Sequence, residues 1–192
     1  MFLVHLQAVL IPILVGIKSI NRFKQIRFPL LPPFAFISLG LASMFEMFDH
    51  TTTDWIYVDH SSIYNWLFYS FLSIGLSFFT ISVAKNKSII TSNILLIFAA
   101  IFSYWFLGKS TTLLIQVLIS MLLISQWWSR FKDWVFFVYP ITGVIFTTFF
   151  GILLSSSGEQ IWHVFIGPSG TISVLAFYSV LKRSRKKEII SA

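Results

Sequence analysis

The sequence predicts an all-α fold: a polytopic membrane protein built as one bundle of seven transmembrane helices, with its N-terminus outside and its C-terminus in the cytoplasm. Three observations carry that expectation. Of 192 residues, 56% are hydrophobic and only 11% charged, with a mean hydropathy of +0.82, whereas a soluble domain carries about a quarter charged residues. Apolar runs approaching the ~20 residues that span a bilayer recur along the whole chain. The basic residues, finally, fall almost entirely in alternate connections between those runs.

The spans are expected at about Phe2–Ile17, Phe28–Phe48, Ser61–Ala84, Ile89–Leu107, Thr111–Ser125, Trp134–Leu154 and Gln160–Leu181, followed by a basic tail over 182–192. No second, soluble domain fits. The first run lacks a basic n-region and a clear small-residue cleavage site, so it reads as a retained helix rather than a signal peptide. The first and fifth runs are short and call for snorkelling flanks or a locally thinned bilayer. Brief connections make sequential helices antiparallel neighbours. Pro29, Pro32 and Pro33 open the second span, and Pro140 is expected to bend the sixth. Gly167-Pro168-Ser169-Gly170 predicts a kink or an unwound turn in the seventh. Asn65 and Gln116 are expected to make interhelical hydrogen bonds.

Charge sets the orientation. Lys18, Arg22, Lys24 and Arg27 lie in the first connection, Lys85 and Lys87 in the third, and Arg130 and Lys132 in the fifth. The tail adds Lys182, Arg183, Arg185, Lys186 and Lys187. These are thirteen of the fourteen basic residues, and seven spans put all of them on one side; Lys109 alone falls on the other. The positive-inside rule makes the crowded side cytoplasmic. The net charge of +7 thus reads as membrane topology beside anionic lipids, not as a nucleic-acid surface. The absence of cysteine excludes disulfides and thiolate metal sites. The Ile-, Phe-, Lys- and Ser-rich composition fits an integral protein of a bacterial inner (plasma) membrane.

Five of the seven carboxylates sort to the other end. Glu46, Asp49, Asp54, Asp59 and Glu159 lie at the ends of spans two, three and seven, with Trp55, Tyr57, Tyr64, Trp66 and Trp162 at the same level as an interfacial aromatic belt. Glu46 and His50 are spaced i, i+4, as are Glu159 and His163, and each pair therefore shares one helical face. Asp59-His60 opens the third span. Imidazole nitrogen with carboxylate oxygen suits zinc, or iron or manganese, when ligands converge from several helices. Hydrated caps near helix ends are the competing reading, favoured for Asp54 and Thr51–Thr53. His5, on the first span, reads as a satisfied or interfacial histidine.

The pattern at His50, Asp59 and His163, with the strings DHSSIY at Asp59–Tyr64 and Trp162-His163 on span seven, resembles the CREST superfamily of seven-helix membrane proteins. That group includes alkaline ceramidases, progestin/adiponectin receptors, hemolysin III-like proteins and a myomaker-like branch. The resemblance implies a zinc held by His50, Asp59, Glu159 and His163. Glu46 stands where the family has Ser, and Glu159 where it has the first histidine of a pair. It also implies a metal-dependent hydrolase that cleaves a lipid amide or ester at the outer face, with Glu46 or Asp49 as general base.

A different class remains open beside the enzyme: a non-catalytic seven-helix protein, receptor-like or partner-binding, with a structural metal or none. A retinal protein is disfavoured because the seventh span has no mid-membrane lysine, Lys182 lying at its end. A transporter is disfavoured because the polar groups cluster at one edge rather than the midplane, without an inverted repeat. No Gly-rich phosphate loop, nucleophile elbow or HExxH motif is present.

Overall fold

The computed structural model describes the backbone of residues 2–52, 63–145 and 159–191, with side chains over 5–49, 63–142 and 168–184. These residues form helices and their connections: α1 (Phe2–Ser19), α2 (Leu31–Thr52), α3 (Ile63–Val83), α4 (Lys87–Phe106), α5 (Lys109–Phe131), a 3-10 turn (Trp134–Phe137), α6 (Val138–Ile145) and α7 (Glu159–Ser191). Among them, α2 to α5 are each long and apolar enough to cross a membrane, and His5–Ser19 is a shorter apolar helix.

Sequential helices pack as neighbours from α1 to α5, α3 also meets α5, and α7 closes the arrangement by packing on α1 and α6. The α1–α2 contact is close. A Cβ added at Gly16 would stand 2.7 Å from Ile37 and 2.8 Å from the Pro33 carbonyl, and one at Gly40 2.6 Å from Ile13 and 2.9 Å from the Val9 carbonyl. Small residues let helix backbones approach in this way, which matters because lipid offers no hydrophobic drive for helix association.

The core lies toward the end that carries the basic residues, and it is aromatic. Phe36, Phe79, Trp127, Phe136 and Phe177 are all buried together. Phe79 stacks on Phe177 with centroids 4.5 Å apart, and Trp127 meets both rings edge-on. Trp127 Nε1 donates to the Phe79 carbonyl at 2.9 Å, so the indole fills the core and satisfies its polar edge at once. The first connection joins this core. Asn21 adopts a left-handed conformation (φ 64°), and Phe23 and Ile26 turn inward to 2% and 4% exposure.

Three features differ from the sequence expectation. Helix α5 runs to Phe131 over 23 residues, not to Ser125, and its last turns carry Trp127 into the core; the fifth helix needs no thinned bilayer. Helix α7 continues through Pro168, so of the expected kink or unwound turn the unwound turn does not occur there; proline withholds one donor from the helix. Pro140 lies in the first turn of α6, where its missing N–H is tolerated, so it does not bend the described part of that helix; the preceding 3-10 turn is capped by Asp133 accepting from the Val135 N–H at 3.1 Å.

Candidate functional site

The two ends of the bundle differ in charge as the sequence predicts. At one end Arg27 Nη1 donates to the carbonyls of Ala84 and Lys85, at 3.2 and 2.8 Å, binding the first connection to the end of α3. Arg22 reaches the Tyr178 hydroxyl of α7 at 3.5 Å, and Arg183 pairs with Asp133 at 3.0 Å. These contacts bring the first, third and fifth connections and α7 to a common basic end.

At the opposite end the described side chains build a polar network across α2, α3, α4 and α5. Asp49, in the last turns of α2, is 1% exposed. Its Oδ2 accepts from Asn65 Nδ2 at 3.4 Å, and Asn65 Oδ1 accepts from the Tyr104 hydroxyl at 3.0 Å. One carboxylate of α2 is thereby linked through an amide of α3 to a phenol of α4. Deeper in, Gln116 of α5 donates to the Tyr69 carbonyl at 3.0 Å and to Ser73 Oγ at 3.1 Å. Ser103 and Thr112 join α4 to α5 at 2.9 Å. Both residues expected to bond between helices, Asn65 and Gln116, do so.

Helix α5 starts where it does because Gly108 takes a positive φ of 85°, which reverses the chain within two residues of α4. That turn returns Lys109 to the level of Tyr104 and Tyr69, and its Nζ lies 5.5 Å from the Tyr69 ring centroid. Glu46, partly buried and one turn before Asp49, feels both charges: Asp49 repels it and Lys109 attracts it. Lys109, the one lysine or arginine among the described residues at the acidic end, is therefore part of the site. Sequence reasoning missed this, although the signal was present, since Lys109 alone broke the charge segregation.

The other candidate residues fare differently. His50 sits on α2, and Glu159 and His163 sit on α7, but their side chains lie outside the described residues, and Asp59 lies outside them entirely. The zinc ligand set is thus not assembled by what is described, and no group of three or more His, Cys, Asp or Glu able to hold a metal occurs among the described residues. The two residues assigned to base chemistry, Glu46 and Asp49, are neighbours in the polar network. What this network can do is couple helices: a change in charge or partner at Asp49 alters bonds on α3 and α4 together.

Residues 1–187 match a family model, 7TM_cyano, described as seven transmembrane receptor. Neither the curated proteins nor the solved structures give a match. The match supports the seven-helix membrane architecture but not the hydrolase membership that the CREST resemblance implies. With 187 of its 192 residues inside that match, the chain belongs to this family of seven-transmembrane receptors.

Proposed function

We propose that the protein is a non-catalytic, receptor-like seven-helix membrane protein whose acidic end, around Glu46, Asp49, Asn65, Tyr104 and Lys109, receives a ligand or partner and passes the event to α3, α4 and α5. The observation that carries this reading is the receptor-family match over nearly the whole chain. The polar network supports it, because hydrogen bonds between helices in lipid join elements that otherwise share only apolar packing. The positive-inside rule orients the acidic end outward and the α7 tail toward the cytoplasm, and the family's short name, 7TM_cyano, points to a bacterial host and hence its inner membrane.

A second reading is favoured by one specific observation, the two carboxylate–imidazole pairs Glu46/His50 and Glu159/His163. Under it, zinc (or iron or manganese) is held by His50, Asp59, Glu159 and His163, Glu46 or Asp49 acts as base, and membrane lipids supply an amide or ester substrate. One experiment separates the two: metal analysis of the purified protein with a lipid amide and ester hydrolysis assay, on wild type, His50→Ala and His163→Ala. The receptor reading expects no turnover in any of the three. Turnover and stoichiometric metal in wild type, both lost in the histidine variants, would replace it with the hydrolase.

A further inference from the structure

We propose that the basic end holds a binding site for a phosphate-bearing ligand, in a half-open cavity between the first connection, the end of α3 and the end of α5. The cavity has a volume of about 320 Å³ and is lined by Gln25, Ile26, Arg27, Ser82, Val83, Ala84, Lys85 and Arg130. Its size falls at the lower end of the ~300–1,000 Å³ of small-molecule sites. Three of the eight lining residues are cations, and none is a carboxylate. Asp133, the nearest acidic residue in sequence, lies outside the lining and pairs with Arg183.

Two details distinguish this cavity from a diffuse basic surface. Arg27 is held in place, its Nη1 donating to the carbonyls of Ala84 and Lys85, and a guanidinium offers further N–H donors beyond that nitrogen. Gln25 Nε2 is buried without a hydrogen-bond partner. A buried amide donor that lacks an acceptor is unfavourable, and an oxyanion in the cavity supplies one. Three cations on the rim of a cavity that also holds a buried donor, at the ends of membrane helices, match a phosphate group. That group can belong to an anionic phospholipid, as in basic pockets between membrane helices, or to a free phosphate compound.

Thermal unfolding of the full-length protein in nanodiscs tests this, with phosphatidylglycerol or inorganic phosphate as the probe. Wild type in phosphatidylcholine nanodiscs should unfold at a higher temperature when phosphatidylglycerol is included, or when inorganic phosphate replaces chloride at equal ionic strength. The first response assigns a lipid headgroup, the second a free phosphate compound. Lys85→Gln/Arg130→Gln should weaken the responding probe roughly tenfold or more. Lys18→Gln/Lys24→Gln, equal in charge change but outside the lining, should leave it unaltered. Lys85→Arg/Arg130→Lys should restore the response and shows that the charge-lost variant fails by charge, not by misfolding. Gln25→Met should weaken the response with no change in charge. No response to either probe, or equal losses in the two charge-lost variants, would overturn the site.

Discussion

The Tyr104 hydroxyl on α4 donates to Oδ1 of Asn65 on α3 at 3.0 Å, and the same Asn65 side chain donates to Asp49 on α2. An amide used from both ends fixes its own orientation and makes three helices interdependent. Removing the phenolic donor by Tyr104→Phe should cost about 0.6–1.7 kcal/mol, the range of interhelical hydrogen bonds in a bilayer. Asn65→Ala should cost more, because it cuts both links. Denaturation in lipid nanodiscs measures both, and equal costs would show that Asn65 is not the junction.

Much of the fold was legible in the sequence because lipid imposes simple rules. Apolar runs and the alternation of basic connections locate α2 to α4 closely, and Asn65 and Gln116 stood out as polar residues inside apolar runs. What was not legible turned on which face a residue presents. The fifth span is expected to end at Ser125, yet Trp127 beyond it sits at 0% exposure, bonded to the Phe79 carbonyl, and α5 runs on to Phe131. Lys109 looked like a stray charge, and only the sharp turn at Gly108 reveals it beside Tyr69. The metal constellation rests on His50, Asp59, Glu159 and His163, whose side chains lie outside the described residues.

Trp127 supplies the next prediction. It is fully buried among Phe79, Phe136 and Phe177. Trp127→Ala removes a large buried side chain and should cost about 3–5 kcal/mol. Trp127→Phe keeps most of the volume and should lose chiefly the bond to Phe79, about 1 kcal/mol. Unfolding midpoints of the two variants give the order, and equality would mean that the indole's volume is not tightly packed.

The glycines at the α1–α2 contact should be far less tolerant than Gly170 on α7. Gly40→Ala puts a methyl 2.9 Å from the Val9 carbonyl, and backbone cannot rotate out of the way as a side chain does. A cost of about 1–3 kcal/mol follows from overpacking. A Cβ at Gly170 meets nothing within 4 Å, and Gly170→Ala should be neutral or gain up to about 1 kcal/mol from the better helix former. A Gly40→Ala change as well tolerated as Gly170→Ala would place α1 and α2 further apart than described.

Lys109 and Glu46 offer the most direct test of the acidic end as a working unit. Lys109 attracts Glu46 while Asp49, one turn further along the same helix, repels it. A carboxylate pair in an apolar helix is costly unless a cation stands nearby, so Lys109→Met should destabilise the bundle in the wild-type background. In a Glu46→Gln background the same change removes less attraction, and its cost should fall. The interaction energy from the double-mutant cycle should be about 0.5–1.5 kcal/mol, the lower part of the range for coupled residues. Lys87→Met, at the basic end, serves as the control and should show no coupling to Glu46→Gln. Additive costs for Lys109 and Glu46 would separate the lysine from the site and leave Asp49, Asn65 and Tyr104 as its whole described extent.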